Sequence, residues 1–130
     1  VGETYAARLT AFDKSEDGSL SNRRIWADLK VNAEEGTVPL PDGMCIDEEG
    51  AIWVASPSTA EVIRVHEGGM ISERIPVQTN AFACMLGGED RRTLFICTSN
   101  GSGVDPEAAL REKSGKIEIT QVDVPGCGKP

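Results

Sequence analysis

Two stretches of this chain, about forty residues apart, share one pattern. The first runs Asp42-Gly43-Met44-Cys45-Ile46-Asp47, then Gly50-Ala51-Ile52-Trp53-Val54-Ala55. The second runs Ala81-Phe82-Ala83-Cys84-Met85-Leu86, then Arg92-Thr93-Leu94-Phe95-Ile96-Cys97. Each reads as an apolar strand, a polar turn and a second apolar strand. An offset of about forty residues is the length of one four-stranded propeller blade. Short strands joined by Gly- and Asp-rich turns also suit a sandwich or a barrel, but the repeat separates the propeller from both.

The rest of the chain extends the pattern. Tyr5 to Phe12 alternates as a strand, and Asp17-Gly18 signals a hairpin. Asn22 to Leu29 supplies the returning strand, with Ile25 and Trp26 as its apolar part. Lys30 to Val38 is a polar connection. In Glu61 to His66, Val62, Ile63 and Val65 are expected to pack while Arg64 and His66 project. Gly68-Gly69 then turns the chain into Met70 to Val77. Further strands are expected at Met44–Asp47, Ile52–Ala55, Phe82–Leu86, Leu94–Cys97 and Ile117–Val124. That makes about nine short strands. Asp105-Pro106-Glu107 is a good helix start, predicting one or two turns that end by Gly115. The fold class is therefore all-β: a partial β-propeller of about two to three blades, spanning residues 1–130 with no separate second domain.

Charge narrows the partners. The formal net charge of −8 disfavours nucleic acid and anionic membranes. Arg23-Arg24 and Arg91-Arg92 are isolated pairs in an acidic chain. Nothing reaches the length of apolar run needed to span a bilayer, and Val1-Gly2-Glu3-Thr4 lacks a signal-peptide pattern. The lack of an initiator Met fits a chain cut from something longer, and processing would give the same result. The four cysteines are too widely spaced for a zinc pattern. Cys45, Cys84 and Cys97 lie in apolar runs and are expected to be free and buried, whereas Cys127 in the Gly-rich tail is expected to be the exposed, reactive one. Free thiols suit a reducing cytoplasm.

Asp42 is the main candidate for chemistry. It stands at the head of an apolar run, where a rigid scaffold fixes a carboxylate. Pro-Asp-Gly is also a common turn sequence, so the residues alone leave turn and site open. Met44 and Phe82, near the starts of inferred innermost strands, either line the channel mouth beside a substrate or pack the core. Asp47, Glu48 and Glu49 resemble a metal cluster but read as a solvated hairpin turn. His66, the single histidine, reads as a surface residue.

Pro41-Asp42-Gly43-Met44-Cys45-Ile46-Asp47, followed by Glu49-Gly50-Ala51-Ile52-Trp53-Val54-Ala55, resembles the SMP-30/gluconolactonase family. The likeness continues through Thr4–Asp13, Leu20–Arg24, Ala83–Phe95 and Val122–Gly126. It covers only the C-terminal part of the family's length. The resemblance implies a six-bladed ring. It implies that Asp42 lines the open end of the channel, where it binds one divalent cation and acts as general base. The cation would be calcium, with zinc, magnesium or manganese as alternatives. The remaining ligands, a Glu and an Asn, would precede Val1. The implied reaction is hydrolysis of a sugar lactone, such as gluconolactone, to the aldonic acid. A hard cation wants oxygen ligands and polarises a carbonyl, and a nearby carboxylate takes the proton of the attacking water. The alternative is a non-catalytic propeller segment used for binding or calcium regulation. Either way, the implied partners are a sugar lactone and the missing N-terminal half of the propeller or another copy of the chain. The isolated chain is expected to be inactive.

Overall fold

The computed structural model describes residues 1–32, 37–101 and 105–128. Three antiparallel sheets follow one another along the chain. The first is β1 (Gly2–Glu3), β2 (Arg8–Lys14) and β3 (Leu20–Asp28). The second is β4 (Met44–Ile46), β5 (Ile52–Ser56), β6 (Glu61–Val65) and β7 (Ile71–Pro76). The third is β8 (Asn80–Gly87), β9 (Thr93–Ser99) and β10 (Lys116–Gln121). Each strand pairs with the next in sequence, so each sheet is a meander. The repeated hairpins are β4–β5 and β8–β9, as the echo predicts. Only the middle sheet has four strands among the described residues. No helix of the described residues is long and apolar enough to cross a membrane.

The middle sheet is packed on both faces. Trp53, Ala55 and Val62 meet Cys84, Leu94 and Ile96 of the third sheet on one side. Val54, Ile63 and Val65 meet Leu9, Ala27 and Leu29 on the other. All five residues of β6 are buried for this reason, and the alternation read from its sequence does not expose Arg64. That corrects the expectation that Arg64 projects. His66, just beyond β6, is half-buried with its Nε2 2.9 Å from Ser72 Oγ.

Asp47 is also corrected. It does not sit in a wholly solvated turn with Glu48 and Glu49: Asp47 is 1% exposed, while its two neighbours are exposed. Its Oδ1 accepts from the backbone N–H groups of Glu49 and Ala51, each at 3.0 Å. Its Oδ2 accepts from the Trp53 indole N–H at 3.2 Å and from Arg64 Nε at 2.8 Å. A buried carboxylate is tolerable when each lone-pair direction is used in this way. Burial opposes the Arg64 charge, but the bonds to Asp47 and Glu49 outweigh it and hold its pKa above the usual arginine range.

The C-terminal tail crosses back to the middle sheet. Gly126 forms a bridge with Asp47, and Glu48 N–H donates to Pro125 O at 2.9 Å. Arg91 joins both, donating to Gly126 O at 2.7 Å and to Glu48 at 2.6 Å. The short helix α1 (Pro106–Glu112) is capped as its sequence predicts, with the Asp105 side chain accepting from Ala108 N–H.

Cys45, Cys84 and Cys97 are free thiols. Cys45 and Cys84 are buried, but Cys97 is exposed and Cys127 is half-buried. The expectation for Cys97 fails because β9 alternates: Ile96 points to the core and Cys97 to the opposite face.

Two outcomes follow from these interactions. Asp47→Ala strips the buried acceptor from Arg64 Nε and the Trp53 indole and leaves Arg64 hydrogen-bonded to one carboxylate, that of the exposed Glu49, so urea unfolding should show a loss of about 3–5 kcal/mol. A second concerns Glu3, whose carboxylate accepts from Arg8 at 2.7 Å, from Thr10 Oγ1 and from Arg23 at 2.6 Å. Hydrogen bonds from Arg8 and Thr10, then Arg23, lower its pKa from 4.5 to about 2. A carboxylate depressed on folding stabilises the protein above its unfolded pKa. Glu3→Gln should therefore lower the denaturation midpoint near neutral pH, and the difference from wild type should close as pH falls from 4.5 to about 2.

Candidate functional site

The head of β4 is held by backbone bonds on several sides. Pro39 and Pro41 are buried and stiffen the approach. Thr4 Oγ1 donates to Pro41 O at 2.8 Å. Asp42 N–H donates to Ala55 O at 3.0 Å, Ala55 N–H to Gly43 O at 2.9 Å, and Gly43 N–H to Phe82 O at 2.8 Å. The Asp42 backbone is thus fixed to both the second and the third sheet, while its side chain is exposed. No described residue bonds its carboxylate, so the oxygens are available to a ligand.

Gly43 is what lets the two sheets meet here. A Cβ at this position would lie 2.6 Å from Ala83 Cα and 2.9 Å from Phe82 O. Sequence reasoning passed over Gly43 and saw only a turn residue. The available signal was a glycine at a strand head rather than at a turn tip.

Phe82 occupies the irregularity in β8, where the register with β9 shifts between Ala81 and Ala83. It is half-buried, and its carbonyl reaches the residue next to Asp42. The structure therefore brings Asp42 and Phe82 together at adjacent strand heads. Met44 goes elsewhere: its side chain packs with the core that contains Leu9, Trp26 and Ile52. It lines a cavity of about 340 Å3 with Leu9, Phe12, Leu20, Trp26 and Ile52, and Asp42 is not in that lining.

Beneath the strand heads, Cys84 Sγ donates to Trp53 O at 3.4 Å, and Trp53 pairs with Cys45 across β4–β5. The bond to Cys45, together with burial, pushes the Cys84 thiol well up from the usual range. A thiol held protonated in an apolar core is inert packing, not a nucleophile.

Among the described residues no group of three or more His, Cys, Asp or Glu side chains could hold a metal ion. Asp42 offers one oxygen ligand, and a calcium site takes six to eight. The residues present do not make a complete cation site.

Consecutive four-stranded and shorter meanders, stacked face to face with an acidic residue at an inner strand head, define an arc of a β-propeller. Residues 1–100 match the family model described as the SMP-30/Gluconolactonase/LRE-like region. The chain belongs to this family. Regucalcin of Homo sapiens is 37% identical over 95% of this chain and 41% of its own length. The 6-deoxy-6-sulfogluconolactonase of Pseudomonas putida is 31% identical over 94% of this chain and 41% of its own. Among solved structures, a luciferin-regenerating enzyme superposes with a TM-score of 0.74 at 21% identity, over 95% of this chain and 41% of that one. A calcium-binding protein, regucalcin, from Agrobacterium tumefaciens superposes with a TM-score of 0.71 at 20% identity, over 98% of this chain and 43% of that one. The chain spans about two fifths of the length of the relatives it matches.

The close approach at Gly43 is testable without any activity. Gly43→Ala must push β4 away from β8, and overpacking of this kind costs about 1–3 kcal/mol. Thermal unfolding should register that loss. Backbone amide shifts should move at Asp42, Phe82 and Ala83, and much less in the first sheet.

Proposed function

We propose that this chain is the C-terminal portion of a sugar lactonase, and that Asp42 is its contribution to the active site. The observation that carries the reading is the Asp42 carboxylate: exposed, unbonded by any described side chain, and fixed through its backbone to two sheets. A catalytic carboxylate needs that combination of a free head and a rigid stem. Membership of a family that includes a 6-deoxy-6-sulfogluconolactonase supports the reaction class.

In the proposed reaction Asp42 orients a water at the lactone carbonyl and takes its proton as the oxygen attacks. The ring C–O bond breaks, and Asp42 returns the proton to the departing ring oxygen. The product is the open hydroxy acid. Phe82, beside Asp42, presents an apolar wall against the sugar ring. A divalent cation, with calcium as the first choice, would supply positive charge to polarise the carbonyl when bound. Its other ligands would come from the part of a family-length chain outside these residues. Met44 would act from behind, as packing under the strand head. The free thiols of Cys45, Cys84 and Cys97 support a cytoplasmic location.

A second reading is a regulatory calcium-binding protein without lactonase activity. The name of the Agrobacterium tumefaciens neighbour, a calcium-binding protein, favours it.

The test is Asp42→Asn in a family-length chain that carries this segment. The substitution keeps shape and removes charge and basicity. Lactone hydrolysis should fall at least about a hundredfold with the melting temperature unchanged. Turnover near the wild-type rate sinks the assignment. Absence of turnover in the wild type, with calcium still bound, favours the regulatory reading.

A further inference from the structure

The segment that leads into Asp42 does not hold itself in place. It reads Val38-Pro39-Leu40-Pro41-Asp42, and it lies in no strand of the three sheets. Its two prolines carry no N–H. Across Pro39 to Asp42, only Leu40 and Asp42 can donate from the backbone. The bonds that fix the segment come partly from hydroxyl side chains on other elements. Thr4 bonds Pro41 O. Ser58, in the turn between β5 and β6, takes hold further back. Its Oγ accepts from Leu40 N–H at 3.0 Å and donates to Val38 O at 2.8 Å.

A directed chain of hydroxyls sets Ser58 in turn. Its Oγ lies 3.2 Å from Ser56 Oγ, and Thr59 Oγ1 donates to Ser56 Oγ at 2.7 Å. A hydroxyl has one proton and two lone pairs. The Ser58 proton goes to Val38 O, so Ser56 is the donor between the two serines. The chain therefore runs one way, from Thr59 to Ser56 to Ser58 to Val38. Ser58 spends both lone pairs, one on Ser56 and one on Leu40. Ser56 is fully buried, so water does not compete for its place. It ends β5 directly after Ala55, whose carbonyl receives the Asp42 N–H. One short stretch, Ala55 to Ser58, thus receives both backbone donors of the proline segment.

We propose that Ser58 is a positioning residue for Asp42: it fixes the backbone that aims the carboxylate and does not itself touch the substrate. Its effect on rate rests on the lactonase reading. Without the Ser58 hydroxyl, Leu40 loses its acceptor, and Asp42 N–H is the one anchored donor left in the segment. The carboxylate stays present, charged and exposed. The distance over which it takes a proton from the attacking water is no longer set. The loss therefore falls on kcat rather than on KM.

The test is Ser58→Ala in a family-length chain that carries this segment. Gluconolactone hydrolysis is measured at saturating calcium, and amide hydrogen exchange is followed at Leu40 and Asp42. The kcat should fall at least about tenfold, within the hundredfold that a displacement of about 1 Å costs, with KM unchanged to within about twofold. Exchange at Leu40 should quicken at least about tenfold, while Trp53 and Val54 of β5 keep their protection. Ser58→Thr, which keeps the hydroxyl at an exposed position, should restore both. In an Asp42→Asn background Ser58→Ala should cost less than about twofold, because residues that act through one group are not additive. A wild-type kcat in Ser58→Ala overturns the inference. So does an undiminished loss in the Asp42→Asn background, or a loss that Ser58→Thr does not restore; both leave Asp42 its role. If the wild type does not hydrolyse the lactone, the lactonase reading fails separately, and exchange alone decides. Faster exchange at Leu40 and Asp42 then upholds the positioning role, and unchanged protection overturns it.

Discussion

The carboxylate of Asp47 is the point on which the middle sheet depends. Trp53 is fully buried, and its indole N–H needs an acceptor there. Asp47 supplies it, and also holds the turn N–H groups and the Arg64 guanidinium. That side chain therefore ties the β4–β5 hairpin to the β6 strand behind it, and the backbone of the same residue bridges to Gly126 of the tail. Replacing the pair with apolar residues of similar volume need not weaken such a core, whereas removing one partner does. What the charges contribute is a fixed orientation: Trp53 can point its N–H in only one direction.

The candidate site inherits that rigidity at the far end of β4. Asp42 and Asp47 bracket one short strand, one facing solvent and one facing the core. The inner end of the strand is set by hydrogen bonds to a buried carboxylate, and the outer end by backbone bonds to Ala55 and Phe82. Between these anchors there is little room for Asp42 to move by backbone motion. Its remaining freedom is rotameric, which a bound ligand can select at small cost.

Much of this was legible in the sequence, and the failures have physical causes. The forty-residue echo gave the meanders, Asp17-Gly18 gave the β2–β3 hairpin, and Asp105-Pro106 gave the helix start, because each is a local signal. Arg64 and Cys97 were misread because alternation fixes only which residues share a face. It does not say whether a second sheet covers that face. Both faces of β6 are covered, so a charged residue went inside; one face of β9 is bare, so a cysteine stayed out. Asp47 hid in an acidic run whose other two members are ordinary surface residues. The adjacency of Asp42 and Phe82 needed the packing of two separate sheets, which the matching strand starts of the echo suggested and the single-strand pattern did not. Met44 faces the core on the first sheet's side because the middle sheet divides two cores and alternation sends Met44 and its neighbour Cys45 to opposite ones.

The tail that returns to β4 also sets an order of events in time. The strand pairings within each sheet join neighbours in sequence, so they close short loops and form early. The contacts of Pro125 and Gly126 with Asp47 and Glu48 join residues separated by more than half of the chain. Their loop-closure entropy is repaid only once both the second and the third sheets exist. The tail is therefore the last piece to dock and the first to leave. While it is undocked, the Arg91 side chain and the edge of the β4–β5 turn are open to solvent, which is where a protease would find this chain before its core loosens.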